Sequence, residues 1–354
     1  MLMTGTDTLK KDTAGTVQVS KDAASNAFFQ VDAFNWLSGR NEGIMGPHMF
    51  FKESEAYWDQ CTDLDNPFSR MQRGQFNLIT HNLDQITAGS VVPSTLADYG
   101  CGNEFAVVNQ TLPFVQKWVG KGLQEYAAID LFGDFAVAAA ETIGRNRRNI
   151  TCSAHEADFM RQDFSDLQDP LFGLCLGKTV YNAPGGENNL NAYSDLVDKL
   201  RKFKKFTPAN SNIAFGIDVC NDEERLKEQY LQDAHKKFSV ELMHRIKREL
   251  LPDQDGFLPD AWEYAEEGVW HPQSHQWSHV LICTEDQEYE FMGHRISHKK
   301  GDRLVQDNSY CHPVADFQKA ALEAGCTTVS SVVDHDEQVA IVTINTGQAP
   351  ALVN

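Results

Sequence analysis

Three acids at the ends of apolar runs, one beside a pair of glycines, are the residues best suited to chemistry. In "LADYGCGNEF" (96–105) an apolar run reaches Asp98, and Gly100 and Gly102 then flank a single cysteine. Glycines so spaced allow a tight turn and a close backbone approach to a ligand. A dinucleotide fingerprint needs a third glycine, G-x-G-x-x-G, and Phe105 stands in its place. Asp130 ends "EYAAID", where a carboxylate can accept both hydroxyls of a ribose. Asp158 and Phe159 end "NITCSAHEADF", where the acid can take an adenine amino group and the ring can stack. Each acid alone reads equally as a helix cap, and the glycines alone as an ordinary strand-to-helix turn. Together they point to a nucleoside cofactor without phosphates. S-adenosylmethionine has a sulfonium, an ammonium and no phosphate, so it suits the acid at Asp98 better than a diphosphate does. A nicotinamide-dependent oxidoreductase is the alternative, and a catalytically silent nucleoside-binding protein is another.

Those acids need strands that end at one edge. "STLADYG", "EYAAID", "NITCSAHEADF", "FGLCLGKTVYN" and "SNIAFGIDV" are five apolar runs, most of them separated by helical stretches such as "FGDFAVAAAETIGRN". This alternation predicts an α/β fold with a parallel sheet covered on both faces, binding ligands at the carboxyl ends of its strands. The pattern then changes. Residues 222–250 read as a long amphipathic helical region, and the aromatic, β-branched alternation that follows reads as antiparallel strands. After a helix stopped by Gly325, "TTVSSVVD" and "QVAIVTINT" predict a hairpin that closes the sheet. Residues 220–305 are thus expected to be an insertion.

Composition narrows the partners. The 354 residues carry 50 acids against 31 bases, a formal net charge of −19, which disfavours nucleic acid and anionic membrane surfaces. The basic "RKFKKF" (201–206) reads as a solvated helix end. No apolar run reaches the ~18–20 residues of a membrane span. The N-terminal stretch reads as a polar tail rather than a signal peptide. Eight scattered cysteines, several inside apolar runs, fit reduced thiols and a cytoplasmic location. His271, His275 and His279 have the spacing of helical metal ligands, but Pro272 and the strand-like context argue against a helix, so no metal site is expected. Neither a G-x-S-x-G elbow nor a P-loop is present.

Over roughly residues 95–330 the chain resembles the histidine-specific methyltransferases of ergothioneine biosynthesis, which methylate an α-amino nitrogen from S-adenosylmethionine. The resemblance is carried by "DYGCG", "IDLFGDFAVAAAE", "ADF", "LGKTVYN" in the place of L-G-x-T-x-G-N, "IDV", "FSVELMHRIKREL", "RISHKK" and "NSY". It implies a Rossmann-like class I methyltransferase sheet over 66–219 and 306–354, with an inserted α+β substrate-binding domain over 220–305. Residues 1–65 would supply a tail and part of the lid. It also implies that Asn182 and Tyr230 hold the carboxylate and main-chain end of an amino acid. Asn182 is read as the last residue of the fourth strand, facing the methyl donor.

Two departures bear on the substrate. The family reads the imidazole of histidine with an acid-x-Ser pair, and "RIS" aligns Arg295 with the acid and Ser297 with the serine. A guanidinium only donates hydrogen bonds, so it cannot accept from an imidazole N–H. Tyr181 stands where the family has a glycine. The expected reaction is therefore methylation of the amino nitrogen of a small amino acid or similar metabolite other than histidine. Transfer of the cofactor's aminocarboxypropyl arm would use the same cofactor.

Overall fold

The computed structural model describes residues 18–21, 25–147, 149–160, 162, 164–182 and 192–347. Among these residues, fourteen strands form three sheets. The largest contains β1 (Gln18–Lys21), β2 (Thr95–Tyr99), β3 (Glu125–Asp130), β4 (Thr151–Glu156), β5 (Leu171–Cys175) and β6 (Asn212–Asp218). The smaller sheets contain β7 (Trp262–Tyr264), β8 (Val269–His271), β9 (Gln276–Cys283), β10 (Gln287–Phe291), β11 (His294–His298) and β12 (Arg303–Tyr310). The chain then returns to the large sheet with β13 (Thr327–Asp334) and β14 (Val339–Asn345).

The large sheet has the order β1-β4-β3-β2-β5-β6-β14-β13. Every pairing from β1 to β6 is parallel, and β14 runs antiparallel to both β6 and β13. β2, β5 and β6 are buried along their whole length, as strands covered on both faces must be. Their alternation divides the core. Leu96, Tyr126, Phe172 and Ala214 face the helices Arg70–Ile86, Leu112–Trp118 and Gly133–Asn146. Ala97, Ile129, Ile213 and Phe215 face the helices Ala192–Phe206 and Val314–Glu323. Each buried large side chain contributes about 1.5–3 kcal/mol relative to exposure. Strand order reverses between β3 and β5, on either side of β2, and ligands of such sheets bind outside that point.

The second unit joins two distant stretches of sequence. Phe29, Ala33, Trp36, Met45 and Met49 share one core with Phe238, Leu242, Trp262, Leu281 and Ile296. β12, β9 and β7 form its main sheet, with β8 also on β9, and β10–β11 is a separate hairpin. β12 runs through to Tyr310, so the boundary expected after residue 305 falls inside one continuous strand. The amides of Gly43 and Met45 donate to the carbonyls of Val305 and Gln306, laying the N-terminal segment along β12. Cys61, Cys101, Cys152, Cys175, Cys220, Cys283, Cys311 and Cys326 are all buried and free. "RKFKKF" closes the helix Ala192–Phe206. Among the described residues no helix is long and apolar enough to cross a membrane.

Candidate active site

The glycine turn lies at the switch point. Beyond Tyr99 the chain turns through Gly100 and Gly102, with φ of 74° and 68°, a region that favours glycine. Asn103 Oδ1 accepts from the Ala106 amide at 3.1 Å and caps the helix that follows. Asp130 ends β3 and holds the turn: Oδ2 accepts from the Gly102 amide at 3.2 Å and Oδ1 from the Phe132 amide at 3.0 Å. Burial nevertheless pushes its carboxyl up to about 6, against these amides. Asp158 lies just beyond β4, and its Oδ1 accepts from the Met160 amide at 2.9 Å. Phe159 packs on Tyr99 and Phe203, with ring centroids 5.8 and 5.7 Å away.

Gly100, Gly102, Asp130, Asp158 and Phe159 line one cleft, with Gly177 and Thr179 from the β5 loop and Phe50 and Trp58 from the N-terminal segment. Asp98 is not among them. It points into the core, where its Oδ2 accepts from Thr111 Oγ1 at 2.6 Å and Tyr126 Oη at 3.1 Å. Burial pushes this carboxyl, too, up to about 6. The expectation that Asp98 faces a cationic ligand is thus corrected, since in a strand adjacent residues point to opposite faces.

A second, more polar pocket adjoins the first. Phe50, Trp58 and Gly177 line both. Its polar residues include Lys178, Tyr230, His235, His279, Asp307 and Ser309, and Phe68 and Phe238 add apolar surface. Tyr230, at the end of the helix Glu223–Tyr230, is among the residues lining this pocket. His279 Nε2 lies 2.9 Å from Ser309 Oγ, and its Nδ1 lies 2.7 Å from Tyr264 Oη. His235 Nδ1 is 2.9 Å from the Tyr230 carbonyl, and burial brings its pKa down to about 4, so it is neutral at physiological pH. Burial pushes the Asp307 carboxyl up to about 7. Of the three histidines spaced like metal ligands, His271 and His275 lie on β8 and in the turn after it, while His279 points into this pocket.

Arg295 and Ser297, also expected in the substrate site, lie elsewhere, and the backbone at Asn182 differs from the expected strand end. The strand of the run "FGLCLGKTVYN", β5, stops at Cys175, and Asn182 closes the short helix Thr179–Asn182 instead of ending the strand. Its side chain lies outside the described residues. Arg295 and Ser297 are on the exposed face of β11, because Tyr289, Phe291, Ile296 and His298 take the buried face of that hairpin. Arg295 pairs with Glu288 across the strands at the surface. Arg295→Ala should therefore leave KM for any methyl acceptor unchanged, and a rise in KM would contradict this placement. The acid-x-Ser pair inside the pocket is Asp307-Asn308-Ser309, one strand later. The string "DNSY" carries that signal. Lys178 gives none, because a lysine in a loop reads as solvated.

The sheet order and the cleft at its switch point define an α/β, Rossmann-like class I methyltransferase fold. The chain belongs to the histidine-specific, SAM-dependent methyltransferase family, whose model matches residues 37–346. S-adenosylmethionine is accordingly its cofactor, which displaces the nicotinamide alternative. The chain is also similar to the uncharacterized protein y4iF of Sinorhizobium fredii (strain NBRC 101917 / NGR234), at 24% identity over 68% of this chain and 77% of that protein. Among solved structures, the PH0226 protein of Pyrococcus horikoshii OT3 aligns with 12% identity and a TM-score of 0.41, over 84% of this chain and 99% of the other. SAM-bound CalS10, an amino pentose methyltransferase of Micromonospora echinaspora, aligns with 10% identity and a TM-score of 0.38, over 84% and 98%. The CcbJ methyltransferase of Streptomyces caelestis gives 12%, 0.39, 78% and 90%.

Proposed function

We propose that this protein methylates the amino nitrogen of a small α-amino acid. The observation that carries the reading is the shared wall of Phe50, Trp58 and Gly177 between the cofactor cleft and a polar pocket. In this reading Asp130 accepts from the ribose hydroxyls, Asp158 and Phe159 take the adenine, and the Gly100–Gly102 turn takes the methionine end. Tyr230, with Asn182, holds the main-chain end of the acceptor. Asp307 and Ser309 take its side chain. In this reading the substrate-binding unit combines the segment from Phe29 to Cys61 with the insertion, carried on to Tyr310. Arg295 has no part in it, so its guanidinium is no reason to exclude histidine.

When bound, S-adenosylmethionine supplies a methyl group activated by its sulfonium and open to in-line displacement by an amine. The chain's contribution is positioning and exclusion of water. Phe50, Trp58, Phe68 and Phe238 form the apolar wall, with Trp58 and Phe50 ring centroids 4.9 Å apart. The acceptor amine reacts as the free base. Among the groups lining the pocket, Asp307 is best placed in acidity to take up a proton near neutral pH.

Mass spectrometry of the purified protein with S-adenosylmethionine and a mixture of amino acids and simple amines tests the reading. A methyl increment on an amino acid supports it. An increment only on amines lacking a carboxylate, or a transferred aminocarboxypropyl group, overturns it. Cofactor binding without any turnover would mark a silent binding protein. Asp307 adds a pH signature. A donor side chain favours its carboxylate form, so acceptor affinity should rise as pH rises through about 7. Asp307→Asn should flatten that profile in calorimetry with S-adenosylhomocysteine present.

A further inference from the structure

The β5 loop carries a lysine with an unusual surrounding. Lys178 has φ of 66°, in the left-handed region that a side chain with a Cβ seldom adopts. It follows Gly177, at φ 65°, whose amide is held by Gln75 Oε1 at 2.9 Å. Backbone strain of this kind persists only where the surroundings enforce it, and it concentrates at functional sites. Here it sends the lysine inward. The side chain is 6% exposed and lines the polar pocket.

Its partners leave a positive charge over. Lys178 Nζ donates to Asp218 Oδ2 at 3.1 Å and to Tyr230 Oη at 2.5 Å. Among the described residues its only other partner is Cys311 Sγ, at 3.9 Å, a weak acceptor. Asp218 is shared: Arg70 Nη2 donates to the same oxygen at 2.6 Å. Arg70's remaining contacts among the described residues are Gln229 Oε1 and the carbonyls of Glu337 and Gln338, all neutral. Two cations thus share one carboxylate. Burial disfavours the ammonium, but Asp218 outweighs it and keeps Lys178 protonated, while Arg70 and Lys178 together hold Asp218 down to about 2. Asp307 is the acid among the residues lining the pocket, and burial works against its ionisation. A buried excess charge of this sort is costly unless an anion completes it.

We propose that Lys178 receives the carboxylate of the methyl acceptor, with Tyr230 Oη as the second donor, so that the site selects amino acids over the corresponding amides and decarboxylated amines. Tyr230 accepts from the ammonium, which leaves its own hydrogen free to donate to the carboxylate. Asp218 and Arg70 act as positioning residues behind the lysine. The assignment rests on the amino-acid reading given above.

The test is calorimetry on the full chain with S-adenosylhomocysteine bound, titrating the twenty standard L-amino acids and the primary amide of each that binds. The wild type should prefer acid to amide by about 30-fold, the scale of a charge-assisted bond. Lys178→Gln should cut that preference below about 3-fold with S-adenosylhomocysteine affinity unchanged, and Lys178→Arg should restore most of it. Asp218 remains paired with Arg70 in both variants, and their melting temperatures verify folding. Retained acid preference in Lys178→Gln overturns the assignment and spares the amino-acid reading. Equal binding of acid and amide by the wild type does the same. If no amino acid binds the wild type, both fall together.

Discussion

Gly100→Ala is expected to weaken binding of S-adenosylhomocysteine by at least about 100-fold, while Gly102→Ala leaves it within about 10-fold. Both glycines have positive φ, so an alanine at either pays a conformational cost of about 1–2 kcal/mol, felt by the free and bound protein alike. What separates them is space. A Cβ on Gly100 would sit 2.4 Å from Thr179 Cγ2 and 2.9 Å from Thr179 Oγ1, far inside contact distance. Thr179 cannot yield freely, because its hydroxyl donates to the Leu176 carbonyl at 2.6 Å. The clash therefore displaces either the turn or the β5 loop, and both line the cleft proposed for the cofactor. A Cβ on Gly102 meets only Ala106 Cβ, at 3.5 Å, which is ordinary contact. Calorimetry of the two variants, with melting temperatures alongside, gives the comparison. Equal losses at both positions would mean that backbone conformation, not the fit against Thr179, decides the site.

Asp130→Asn is the second large expected effect: a loss of about 2–3 kcal/mol in cofactor affinity, roughly 30- to 150-fold. The carboxylate has oxygens to spare for hydroxyl donors while holding the Gly102 and Phe132 amides. An amide in its place keeps one accepting oxygen and presents an NH₂ where a hydroxyl or the Gly102 amide must donate. The same residue sets a pH dependence. Burial raises the carboxyl of the free protein to about 6, and hydroxyl donors favour its ionised form. Cofactor affinity should thus be full at pH 8 and decline as pH falls through about 6, with the decline absent in Asp130→Asn. An identical pH profile in that variant would move the titration to another group.

Much of the scaffold is legible in the order of residues along the chain. Five apolar runs form β2 to β6, the glycine stop at Gly325 ends a helix, and the final two runs pair as β13 and β14. Asp130, Asp158 and Phe159 come to one cleft because each sits at or just beyond the end of a parallel strand, and parallel strands end on the same side. Tyr230 is marked by the order of motifs along the chain.

The corrected assignments have a common form. Arg295 and Asp98 have chemically suitable side chains, but each faces the wrong way for the role its motif suggests. In a strand the facing changes with every residue, so an alignment displaced by one strand, or a choice between neighbours, turns a side chain from pocket to solvent or core. The alternation of Tyr289, Phe291, Ile296 and His298 marks Arg295 as outward, a local pattern that the resemblance of "RIS" hides. Asp307 is harder to read. A register shift between Val305 and Asp307 breaks the alternation of β12, and the facing beyond such a break is set by the neighbouring strand β9. Asn182 falls outside β5 because Gly177 and Lys178, at positive φ, end that strand early.

The sequence by itself therefore determined the strands β2 to β6, the closing hairpin, the switch point and the two acids that line the cleft there, because these depend on hydrophobic periodicity and on residues at strand ends. Only the tertiary structure decided the polar pocket beside it. Its walls come from the N-terminal segment, the start of the helix Arg70–Ile86, the β5 loop, the helices on either side of Leu231, β9 and β12, stretches far apart in the chain. Periodicity is a local property, whereas the charge shared by Arg70, Lys178 and Asp218 exists only once distant segments have packed and water has been excluded.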